Sequence, residues 1–241
     1  MNKKTTYIVI SLLIIIIVGA LWYKSSQDKI AELDTSPNPG VPRCLAQFGK
    51  VDKQNLYDKY TLKMLFNGDK VNGELKFLPA EKDSKLGKFE GTVTEVDEAG
   101  SPKIVSAIWE VFAEGTSNKE ELRIMLGEGK ASIGFGEMVV RGDGVYGYKD
   151  PSKIAYSLDL VTIPCGDIDE REIVDNNLRL DIATLSPVKA SLGGTWYVVG
   201  VFVDMTKNSG TVVYEDGHTQ QKREFVYTTG ENNSLTSMMI K

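Results

Sequence analysis

The stretch YTLKMLFNGDKVNGELKF, residues 60–77, decides the fold class. Tyr60, Leu62, Met64 and Phe66 fall on every second position, and after Asn67-Gly68-Asp69 the residues Val71, Leu75 and Phe77 resume the alternation. A period of two sends successive side chains to opposite faces of a strand. Two such runs around a glycine turn therefore predict a β-hairpin with one apolar face.

Downstream, the same pattern predicts strands at 89–96, 104–113, 121–126, 131–135, 145–148 and 155–163, with turn residues between them. A meandering antiparallel sheet must cover its apolar face, so residues 44–166 are expected to close into a small barrel or fold into a sandwich. Cys44 and Cys165, the two cysteines of the chain, bracket this segment. In an oxidising compartment they have one possible pairing, and closing about 120 residues contributes roughly 4–5 kcal/mol in a loop-entropy treatment. Two free buried thiols are the other reading.

From Asp167 the period lengthens. Val174, Leu178, Ile182 and Leu185 recur at helical spacing, Asp167 is the expected N-cap, Asp169 and Glu170 suit the positive end of the helix dipole, and Pro187 stops the helix. The runs TWYVVGVFV, TVVYE, TQQKREFVYTT and SLTSMMI follow, separated by turn residues. Residues 167–241 are thus expected to form an α+β unit, a helix crossing one face of four antiparallel strands and covering Trp196, as in cystatin-like folds. The fold class expected for the whole is mainly β with α+β.

The N-terminus carries YIVISLLIIIIVGALWY, residues 7–23, without a charge. As a helix it would reach roughly 25 Å, close to the thickness of a bilayer core. Lys3 and Lys4 precede it, which predicts a cytoplasmic tip at 1–6, a transmembrane signal-anchor at 7–23 and export of all that follows. Val18-Gly19-Ala20 offers small residues for a signal peptidase, the alternative to an uncleaved anchor. Residues 24–43 are polar and rich in proline at their end, the composition of a tether.

Cys44, NGDKVNGELKF, EKDSKLGKFEGTV, FAEGTSNKEEL and GFGEM, in that order, resemble a group of small uncharacterised envelope proteins of bacteria, lipoprotein-like or anchored by a helix, with a β-domain opening at a cysteine. The resemblance implies an extracytoplasmic β-domain; together with the apolar run at 7–23 the expected location is the bacterial cell membrane, single-pass, with the C-terminal domains outside the cytoplasm. The resemblance implies no activity.

With 28 basic against 33 acidic residues and no basic cluster, the chain lacks the electrostatic footprint of a nucleic-acid binder. One histidine, His218, and no CxxC pair predict no metal site. GDGVYG, residues 142–147, matches G-x-G-x-x-G but lies among predicted hairpins, where no strand-to-helix turn exists to hold a dinucleotide. No cofactor is expected. Glu110, Glu114 and Glu137 fall in or beside apolar strands, where an inward carboxylate is costly unless paired, and with Trp109 they are the candidate ligand-binding residues. The expected function is a membrane-tethered extracytoplasmic binding or interaction module for a small molecule, polymer or protein. The alternative is a carboxylate-dependent envelope hydrolase, which requires those carboxylates paired across a cleft.

Overall fold

Strands β2 (Lys59–Asn67) and β3 (Lys70–Leu78) form the expected hairpin, in register from Asn67↔Lys70 to Lys59↔Leu78. Gly68, at φ 63°, takes the first central position of the two-residue turn, which an L side chain would strain. The structure, a computed structural model, describes residues 40–94, 102–231 and 234–241.

The hairpin is part of a ring. Strands β1 (Arg43–Phe48), β4 (Lys85–Thr94), β5 (Lys103–Ala113), β6 (Thr116–Gly127), β7 (Lys130–Phe135) and β10 (Ala155–Thr162) complete it. Neighbours pair antiparallel in the order β1-β2-β3-β4-β5-β6-β7-β10, and β10 returns to β1 through Leu45↔Thr162 and Ala46↔Val161. The choice between barrel and sandwich resolves as a closed eight-stranded antiparallel barrel. Closure leaves the ring without an unpaired edge. Two short strands, β8 (Met138–Val140) and β9 (Tyr146–Tyr148), hang on β6 through the parallel pair Glu120↔Tyr146. The GDGVYG segment supplies the turn between them with Gly142 to Val145 and enters β9 with Tyr146 and Gly147; Asp143 Oδ1 accepts from the Val145 amide at 3.0 Å.

The barrel is filled. Leu62, Met64, Phe66, Leu75, Phe89, Val105, Ile124 and Leu160 point inward and are 0–1% exposed, as expected for eight strands, whose lumen is just wide enough for side chains. Gly73 lets β3 and β4 approach over this core: a Cβ there would lie 2.1 Å from the Lys63 carbonyl oxygen and 2.5 Å from the Phe89 ring. Strand β1 has no alternating signature because Cys44, Leu45 and Ala46 are all buried, so both of its faces are covered.

Helix α1 (Cys165–Leu185) then leads into β11 (Tyr197–Asp204), β12 (Ser209–Glu215), β13 (Gln220–Thr229) and β14 (Leu235–Ile240), a four-stranded antiparallel meander. Val174, Leu178 and Ile182 pack with Trp196, Tyr214 and Phe225 into a second core. Trp196 stacks edge-on against Tyr214 at 5.0 Å and donates to the Val188 carbonyl at 2.9 Å. The helix begins two residues before the expected cap. Pro164, with φ −57°, precedes it, and Asp167 lies in the first turn with its amide bonded to the Pro164 carbonyl rather than acting as N-cap.

The barrel and the helix-covered sheet belong to one compact unit, Pro39–Lys241. A disulfide joins Cys44 of β1 to Cys165 at the start of α1, with Cα atoms 5.1 Å apart. The loop between β1 and β2 reaches the small sheet, where Asn55, 3% exposed, donates Nδ2 to the Thr211 carbonyl at 2.7 Å. Among the described residues no helix is long and apolar enough to cross a membrane. The expected anchor at 7–23 and tip at 1–6 lie outside the described residues, as does most of the tether.

Candidate functional site

Alternation on β2 and β3 that fills the barrel also places Lys59, Lys63 and Lys76 on its outer wall. Helix α1 has a second face to meet them. Ile168, Arg171, Glu172 and Asp175 recur at intervals of three and four residues, away from the stripe that covers the small sheet. Asp169 pairs with Lys63, Glu172 with Lys76 at 2.9 Å, and Asp175 approaches Lys59 at 3.9 Å. The order of these pairs lays α1 antiparallel across β2.

Beside them, between barrel wall, helix and β11, lies a cleft of about 230 Å³. Phe48, Leu78, Leu86, Ile168, Val201 and Val203 supply apolar walls, and Tyr57, Lys59, Lys76, Arg171, Glu172 and Asp175 converge on it. This composition, mostly apolar with a few directed polar groups, is typical of small-ligand sites. The Arg171 guanidinium lies 4.9 Å from the centre of the Phe48 ring and donates Nη1 to the Val203 carbonyl at 2.8 Å, while its Nε is buried without a partner. Glu172 gives one oxygen to Lys76 and buries the other unpartnered. Burial pushes the Lys59 ammonium below its usual range, with Asp175 opposing and Arg179 adding to the shift. Burial also raises the Tyr57 hydroxyl, against the pull of Arg171.

A second cavity, of about 250 Å³, opens at one mouth of the barrel over Leu75, Trp109, Leu122 and Ile133. Its polar groups satisfy one another. Lys85 reaches both oxygens of Glu120 at 2.7 and 2.9 Å, Glu121 accepts from Arg123 and from the Tyr148 amide, and burial with the Glu121 charge pushes Tyr148 up to about 12 while its hydroxyl donates to the Gly134 carbonyl.

No family model, curated protein or solved structure matches the chain.

The candidate residues from the sequence are not brought together. Trp109 is 6% exposed, lines the mouth cavity and donates to the Gly87 carbonyl at 3.1 Å. Glu110 faces solvent beside Lys119, and Glu137 faces solvent beside Lys149 at 2.7 Å. Glu114 sits in the β5–β6 turn at φ 49°, where a hydrogen bond with Asp83 raises its carboxyl. None of the three lines the cleft or the mouth. Among the described residues no group of three acidic, cysteine or histidine side chains converges as metal ligands do. The sequence reading passed over Lys59, Arg171, Glu172 and Asp175. The one available signal was the second helical stripe from Ile168 to Asp175, charged and lying off the apolar one.

Proposed function

We propose that this chain is an extracytoplasmic binding module, held at the bacterial cell membrane through residues 7–23, and that the cleft between the barrel wall and α1 is its ligand site. The carrying observation is that Lys59, Lys76, Arg171, Glu172 and Asp175 converge on a cleft otherwise walled by apolar side chains, with Lys59 3.9 Å from the Asp175 carboxylate, whereas the polar groups of the barrel-mouth cavity satisfy one another. Apolar walls with a few directed charged groups are the composition of a small-ligand site. A small ligand is favoured over a polymer, since the cleft is shorter of room than the roughly 300–1,000 Å³ of drug-sized sites.

The hydrolase alternative has less support. Glu110, Glu114 and Glu137 sit apart on the surface, and the two carboxylates of the cleft, Glu172 and Asp175, are neighbours on one helix and already held by cations.

Native mass spectrometry of the full chain, extracted from its own membrane in mild detergent, tests the binding reading. The expected spectrum contains a bound species that is lost when Thr61→Trp fills the cleft. An unadorned mass for both proteins, with folding intact, would count against it.

A further inference from the structure

Five charged side chains line the cleft, and their charges do not balance. Lys59, Lys76 and Arg171 stand against Glu172 and Asp175, a surplus of one positive charge in a chain whose formal net charge is −5. Both carboxylates are already engaged: Glu172 by Lys76 at 2.9 Å, and Asp175 by Arg179 at 3.2 Å. Lys59, 3.9 Å from Asp175, is left with the remainder of a shared carboxylate and a face of the Tyr57 ring 5.4 Å away. Arg171 is bonded to a neutral carbonyl and stacked on Phe48.

Two cations withdrawn from water without a carboxylate of their own are costly, and the cost falls when an anion enters. The space beside them is apolar, walled by Phe48, Leu86 and Val201. We propose that the cleft takes a small amphipathic anion, its carboxylate, sulfonate or phosphate group between Lys59 and Arg171 and its apolar body along Phe48, Leu86 and Val201. At about 230 Å³ the space admits a body of one or two rings or a short chain. The assignment rests on the cleft being the ligand site.

The test compares two probes of one shape, 2-naphthalenesulfonate and the uncharged 2-naphthalenesulfonamide, added to the full chain in lipid nanodiscs. Amide hydrogen exchange is followed separately in β2, in α1 and around the barrel mouth. The sulfonate is expected to slow exchange in β2 and α1 at concentrations about tenfold lower than the sulfonamide, the discrimination a charge-assisted hydrogen bond gives. Lys59→Gln removes that preference and leaves the sulfonamide within about twofold, since one charge-assisted bond is lost and the apolar contacts stay. Lys63→Gln loosens the same helix–barrel junction without lining the cleft, and keeps the preference. Equal protection by both probes overturns the anion assignment while the binding reading stands. Protection confined to the barrel mouth, or none with either probe, overturns both.

Discussion

Lys76 on the barrel wall and Glu172 on α1 meet at 2.9 Å with both side chains two-thirds or more buried, so a strand of one core is tied by charge to the helix that covers the other. The pair is desolvated enough that losing one partner matters more than an exposed salt bridge would. Lys76→Met is expected to cost about 1–2 kcal/mol, with a coupling of about 1 kcal/mol to Glu172→Gln in a double-mutant cycle read by denaturant unfolding. Simple additivity of the two changes would show that the pair contributes nothing.

Gly73 is expected to tolerate no side chain. Alanine there must displace either the β2 backbone or the Phe89 ring, which gives an overpacking cost of about 1–3 kcal/mol. Thermal unfolding of Gly73→Ala checks this, and a melting temperature equal to that of the parent would mean that the barrel wall yields freely.

The Cys44–Cys165 disulfide closes a loop with a sequence separation of 121. Because each half already has a packed core, its loss is expected to lower stability by about 2–5 kcal/mol without abolishing the fold. Urea titrations with and without reductant, and of the Cys44→Ser/Cys165→Ser double variant, measure the difference. Coincident midpoints would rule out a stabilising role for the bond.

Asp216 accepts hydrogen bonds from the amides of Ser191, His218 and Thr219, and these hold its carboxyl well below the usual carboxylate range. A depressed folded value means that the stabilisation is complete above the unfolded value of 3.8 and is lost as pH falls through the lower folded one. Asp216→Asn should therefore lower the melting temperature at neutral pH, by an amount that shrinks as pH drops below 3.8. A difference that is constant from pH 7 to pH 2 would mean that the charge has no part in it.

Local chemistry was readable in this sequence wherever a short period carried it. The hairpin of residues 60–77, the helix ending before Pro187, the four C-terminal strands and the pairing of Cys44 with Cys165 all follow from spacing, turn residues and cysteine number. Each depends on contacts within a few residues or, for the cysteines, on there being one possible partner. Ring closure does not. It needs β1, buried on both faces and so without alternation, to pair with β10 more than a hundred residues later, and a strand's own sequence does not say which neighbour it takes. The cleft is further still from local reading. Lys59 and Arg171 are ordinary surface-type residues in sequence, and only the packing of α1 across β2 withdraws them from water together, because desolvation is a property of what surrounds a charge and not of the charge itself. Glu110, singled out by its apolar neighbours, faced outward for the complementary reason: on a strand with a filled interior, the position next to a buried residue points to solvent, while Glu137 lies in the connection between β7 and β8.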